Sequence, residues 1–137
     1  MARERYTRQK LDSPELVYDL LASDMRQLHK ESLRVILLDT RYQLLSVEEI
    51  SLGSVNESLA HPREVFRPAI IASAYAIIIA HNHPSGDPNP SQPDHSLTRR
   101  LAQAAELLQI HLLDHVIIGA PADGRQAYFS FKEEGIL

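Results

Sequence analysis

Two histidines one residue apart, His81 and His83, stand where an apolar run gives way to a polar loop. Strand side chains alternate between faces, so residues i and i+2 point the same way. Two imidazoles on one face at the end of a strand can share a metal ion. Taken alone, the pair also describes two unrelated surface histidines. Asn82 between them points to the other face and is free to hydrogen-bond the loop. Asp94 follows His83 by eleven residues, with Ser91 three before it. Ser-x-x-Asp ahead of an apolar periodic stretch is a capping box, which opens a helix. A carboxylate in that first turn can also reach a cation, and the two roles are compatible. Two histidine nitrogens and one carboxylate leave a fourth position for water, the open arrangement of a catalytic zinc site.

The elements that would position these residues follow from local pattern. Ser13-Pro14-Glu15 is a helix start, with Val17, Leu20, Leu21 and Leu28 at helical spacing to about His29. Leu33 to Leu38 reads as a strand, Asp39-Thr40-Arg41 as a tight turn, and Tyr42 to Ile50 as the returning strand of a hairpin. Gly53 and Asn56 mark a loop. His61-Pro62 opens a second helix, in which Pro68 predicts a kink or a split. Tyr75 to Ala80 has the apolar, β-branched character of a buried central strand and leads directly into His81. Ser85 to Pro90 is a polar loop. Ser91 begins a third helix with Leu97, Leu101, Ala104, Ala105 and Leu108 on its inner face. His111 to Ile118 and Ala127 to Phe131 are further strands, joined by a turn at Gly119 to Gly124. The expected order, α-β-β-α-β-α-β-β, is that of an α/β or α+β layer fold: a mixed sheet with helices packed on it.

Composition narrows the chemistry. The 137 residues match one ordinary domain, and 44% hydrophobic with 23% charged residues is enough for a core. There is no cysteine, so a thiolate metal site and a thiol nucleophile are excluded, and any metal site must use His, Asp and Glu. The net charge of -4 gives no overall support for a nucleic-acid partner. Arg3, Arg5, Arg8 and Lys10 make residues 1–12 a basic arm, expected to be flexible, ahead of a domain at 13–137. The longest apolar run, Ala69 to Ala80, is shorter than the roughly 20 residues a membrane span needs. No apolar leader segment follows the N-terminus, and the default expectation is a cytoplasmic protein.

The stretch HNHPSGDPNPSQPD, His-x-His then seven residues then Ser-x-x-Asp, resembles the metal-binding pattern of the MPN/JAMM metalloproteases. With HPREVF, Thr98 to Leu101, LLDHVIIG and SFKEEGIL, the chain from Ser13 to Leu137 resembles the JAB-type domain of the RadC family. That resemblance implies zinc, one ion per chain, held by His81, His83 and Asp94. It implies that Ser91 stabilises an oxyanion and that a glutamate from an early strand handles the proton of a zinc-activated water. Glu31, just before the strand at Leu33, resembles that glutamate, and Glu48 and Glu49 are its rivals. The implied activity is cleavage of amide bonds in a peptide or protein substrate.

Asp114 and His115 stand near enough in the pattern to support a ligand, although both also read as plain polar residues at a strand edge. His29, His61, His95 and His111 have no metal-like spacing. RadC proteins are often longer, with a DNA-binding helix–hairpin–helix segment ahead of this domain, and this chain starts almost at the domain. A DNA-repair role would therefore lack its usual module here. The alternatives are a metal-dependent hydrolase of nucleic acid, disfavoured by a single ligand set and the acidic balance, and a non-catalytic or DNA-repair-associated binding module. Exposed apolar strand edges allow a homodimer.

Overall fold

The computed structural model describes residues 9–53 and 60–137. Along the chain it contains α1 (Pro14–Met25), β1 (Glu31–Leu38), β2 (Leu44–Gly53), α2 (Pro62–Ile71), β3 (Ala76–Asn82), α3 (Gln92–Leu108), β4 (His111–Ile118) and β5 (Tyr128–Ser130). The five strands form one mixed sheet in the order β2-β1-β3-β4-β5. β1 is antiparallel to both β2 and β3, β3 is parallel to β4, and β4 is antiparallel to β5. The α/β reading and the order of elements both hold.

β3 is buried along its whole length, as its unbroken apolar run requires of a strand covered on both faces. One face packs Leu33, Val35, Leu37, Ile77 and Ile79 against Val65, Phe66 and Ala69 of α2 and Leu97, Leu101 and Ala105 of α3. The other packs Ile36, Leu38, Ile78, Ala80, Val116 and Ile118 against Val17, Leu21, Ala22 and Met25 of α1. The parallel step from β3 to β4 runs through α3. That crossover sets the N-terminus of α3 beside the C-terminal end of β3, where α/β sheets bind their ligands.

Several expected boundaries move, each for a physical reason. α1 ends at Met25, capped at Arg26, rather than near His29, so the chain is free to enter β1 early. β1 begins at Glu31, two residues before the apolar run, because β2 and Asn82 supply partners there. β2 begins at Leu44, since Tyr42 lies in the turn with φ +61°. Pro68 does not split α2: burial of Val65, Phe66 and Ala69 on either side of it holds the helix together despite the missing N–H. Leu108, expected on the inner face of α3, is 45% exposed at the helix end. β5 spans only Tyr128–Ser130.

Gln9 to Leu11 are fixed, not a free arm. The Leu44 amide donates to the Gln9 carbonyl at 2.7 Å, the Leu11 amide donates to the Tyr42 carbonyl at 2.9 Å, and Leu11 is in the core. Lys10 forms a 3.8 Å ion pair with Asp12 at the surface. The arginines at 3, 5 and 8, and Asn56, lie outside the described residues. Among the described residues, no helix is long and apolar enough to cross a membrane.

The loop after β3 is docked onto the β4–β5 turn through one glycine. A Cβ on Gly119 would lie 2.4 Å from the Gly86 carbonyl oxygen and 2.9 Å from Pro88. The close approach lets the Ala120 amide donate to the Gly86 carbonyl at 2.8 Å, and Arg125 donates to the same carbonyl at 2.9 Å. Gly119→Ala is therefore expected to force the 84–90 loop outward at a cost of about 1–3 kcal/mol, read as a lower midpoint in urea unfolding with an unchanged m-value.

Candidate metal centre

The register Leu33↔His81 places His81 at the last rung shared by β1 and β3, on the face covered by α2 and α3. Its imidazole is fully buried. His83 follows the end of β3, where its amide donates to the Ile118 carbonyl at 3.0 Å. Asp94 arrives from α3. Its amide donates to Ser91 Oγ at 3.2 Å and its Oδ2 accepts from the Ser91 amide at 2.9 Å, which is the capping box read from the sequence.

The three groups converge. His81 Nε2 lies 3.1 Å from His83 Nε2 and 3.3 Å from Asp94 Oδ1, and His83 Nε2 lies 3.1 Å from Asp94 Oδ2. Glu31 joins them: one carboxylate oxygen and one nitrogen from each of His81 and His83 all lie within 4.8 Å of one another. The rivals of Glu31 are elsewhere. Glu49 accepts from Ser32 Oγ at 2.7 Å on the α1 side of the sheet, with Arg34 beside it. Glu48 pairs with Val35, further along β1, beside α2.

Partner chemistry assigns the imidazole protons. Thr98 Oγ1 donates to the Asp94 carbonyl at 2.8 Å, so at 2.6 Å it accepts from His115 Nδ1–H. His115 Nε2 then carries a lone pair and accepts from His81 Nδ1–H at 2.8 Å. That leaves the His81 Nε2 lone pair facing His83 and Asp94. Likewise His83 Nδ1–H donates to the Asp87 carbonyl at 2.8 Å, so His83 Nε2 faces inward as an acceptor. Two lone pairs and a carboxylate thus meet with no hydrogen of their own to share. A cation between them, metal or added proton, would relieve that repulsion.

The electrostatics agree. Burial alone would raise the Asp94 carboxyl, but the contacts with His81 and His83 outweigh it and hold the group well below the usual carboxylate range. Burial pushes the His83 imidazole down, yet Asp94 and the Asp87 carbonyl push it up further, and the net shift is upward. The donor set also fits a divalent ion by size. Tetrahedral ligands about 2.0–2.1 Å from zinc stand about 3.3 Å apart, close to the spacings found between these three side chains.

A profile of the RadC-like JAB domain matches residues 11–136. The chain belongs to the RadC-like JAB domain family. A UPF0758 protein of Trichlorobacter lovleyi is 48% identical over 136 residues, covering 99% of this chain and 57% of the relative. UPF0758 proteins of Moorella thermoacetica and Methanosarcina mazei are 50% and 46% identical, covering 96% and 95% of this chain and 55% of each relative. The chain thus spans a little over half the length of these relatives. The mixed sheet with three helices is consistent with the MPN/JAB fold to which RadC-like domains belong.

His115, in the sequence either the support of a ligand or a plain polar residue at a strand edge, belongs to the cluster. It is fully buried, bonded to His81, and stacked on Phe131 with ring centroids 4.6 Å apart and planes 7° apart. A bulge at Leu113 puts it there: Leu112 pairs with Ile77 but Asp114 with Ile78, which reverses the alternation and turns His115 toward the face that carries His81. Asp114 faces the other way and is structural, accepting from Ser130 Oγ, the Lys132 amide and the His115 amide. The signal available in the sequence was Thr98, one helical turn after Asp94.

Burial holds the His115 imidazole well below its ordinary value. The unfolded chain therefore binds the extra proton first, and this residue's share of stability is lost as pH falls through about 6.5. In the metal-free protein at pH 6, long-range proton–nitrogen NMR is expected to show His115 neutral, with its hydrogen on Nδ1.

Proposed function

We propose that this domain is a zinc-dependent hydrolase of amide bonds, with His81, His83 and Asp94 as ligands, Glu31 as the proton carrier and Ser91 as the oxyanion donor. The observation that carries this reading is the meeting of three hydrogen-free acceptors at 3.1–3.3 Å beside a glutamate. A bound zinc ion would supply a Lewis acid and lower the pKa of its water from 15.7 to about 7.

The protein's own groups do the rest. Glu31, the first residue of β1 and close to both histidines, accepts a proton from the attacking water and later delivers it to the leaving nitrogen. Ser91 Oγ is engaged as an acceptor by the Asp94 amide, so its own O–H remains to donate to the substrate carbonyl oxygen as negative charge grows there. His115 and Thr98 hold His81 in the tautomer that presents Nε2, and the Asp87 carbonyl does the same for His83. No covalent intermediate is required, in keeping with a chain that lacks cysteine. The substrate favoured is a peptide or protein, since a net charge of -4 gives no overall cationic excess for a phosphate backbone.

Elemental mass spectrometry of the purified protein tests the ligand set. The wild type is expected to carry about one zinc per chain and Asp94→Ala almost none, while the variant still folds, because loss of a helix cap costs about 1 kcal/mol. A variant with full metal content, or a wild type that takes up no transition metal when zinc is supplied, would overturn the assignment. Glu31→Gln should keep its zinc while hydrolysis of a cleaved peptide falls about 10²–10⁴-fold. Thr98→Val, which cannot accept from His115, should weaken zinc affinity about 10–100-fold in competition with a chelator.

A further inference from the structure

The carboxamide of Asn82, between the two histidines, takes part in neither imidazole's hydrogen bonding. It is 2% exposed. Its Oδ1 accepts from the Ser32 amide at 2.7 Å, and its Nδ2 donates to the Lys30 carbonyl at 3.1 Å. Lys30 and Ser32 are the residues on either side of Glu31, so one side chain grips the backbone of both flanking residues.

The reason lies in how the sheet ends. The ladder between β1 and β3 has its last backbone rung at Leu33↔His81. Beyond it the chain turns toward β4, where the His83 amide bonds to Ile118. The register with β3 thus stops two residues short of the start of β1. A carboxamide has one donor and one acceptor, as a peptide group does, and Asn82 supplies the missing rung from its side chain. Without it, the Ser32 amide and the Lys30 carbonyl would each lose this bond.

We propose that Asn82 is a positioning residue for Glu31: it fixes the start of β1 so that the Glu31 carboxylate stays against His81 and His83. This rests on the reading of Glu31 as the proton carrier. The same turn of chain that presents the two histidines on one side thus sets the glutamate from the other. An aspartate could accept from Ser32 but could not donate to Lys30 while ionised, and an alanine could do neither.

The test uses the full chain loaded with cobalt(II) in place of zinc, comparing wild type, Asn82→Ala, Glu31→Gln and the double variant. Cobalt content is counted by elemental mass spectrometry. The pH midpoint of the visible cobalt absorption reports ionisation at the metal and responds to a neighbouring carboxylate. Glu31→Gln is expected to shift that midpoint. Asn82→Ala should shift it in the same direction by less, with one cobalt per chain retained, and the double variant should match Glu31→Gln alone. Three results would overturn the inference: an Asn82→Ala midpoint equal to wild type while Glu31→Gln moves, additive shifts in the double variant, or cobalt lost from Asn82→Ala. If Glu31→Gln itself leaves the midpoint in place, the role of Glu31 fails, and that of Asn82 with it. Should Asn82→Ala not fold, Asn82→Ser, too short to bridge both groups, carries the same expectations.

Discussion

A buried imidazole can offer a lone pair to a fixed point only if the hydrogen on its other nitrogen has been accepted elsewhere. Here that requirement runs through four residues in one direction: His81 donates to His115, His115 to Thr98, and Thr98 to the backbone carbonyl of Asp94. The chain of donors starts at one candidate ligand and ends on the residue that supplies another. Each member is in a fixed protonation state because its neighbour is, and the terminal carbonyl, which can only accept, fixes the direction. Reversing either bond made by His115 would place a hydrogen at His81 Nε2 and close the site.

That dependence explains the placement of the surrounding elements. His81 comes from β3, His115 from β4, and Thr98 and Asp94 from α3, so the relay needs the parallel β3–β4 pairing and its crossover helix at once. The bulge at Leu113 is part of the same requirement. With regular alternation His115 would face α1, and Val116 and Ile118 would leave the core they fill. The sheet thus gives up one rung of regularity to bring an imidazole to the face of His81 and an acid, Asp114, to the opposite one. There Asp114 ties down the strand end at Ser130 and Lys132.

What could be read in the sequence and what could not divide along this line. His81, His83, Ser91 and Asp94 were legible because spacing within one segment carries their geometry: strand alternation for the histidines, a capping box for the acid. The order of elements was legible for the same reason, from local periodicity. His115 was not, because its side depends on a bulge that only pairing with β3 reveals. The early start of β1 was not, because Asn82 lends a rung from fifty residues away. Glu31 could be ranked over Glu48 and Glu49 only by family likeness, since its distance to the histidines is a property of the sheet and not of the chain. Pro68 shows the opposite error, a strong local signal overruled by packing on both sides of it.

Asp94 joins folding to chemistry most closely. Its Oδ2 accepts from the Ser91 amide at the start of α3 and also faces His83, while Oδ1 faces His81. A carboxylate at a helix N-terminus is stabilised by the unpaired amides there, with or without a metal. The first turn of α3 and the Asp94 carboxylate are therefore held in place by the capping box alone. The histidines are set by their own outer hydrogen bonds in the same way. The cluster is arranged by these outer bonds, with acceptor meeting acceptor and no hydrogen assigned between them. A cation that bound there and not to the unfolded chain would stabilise the domain by RT ln(1 + [L]/Kd), so tighter binding adds stability logarithmically.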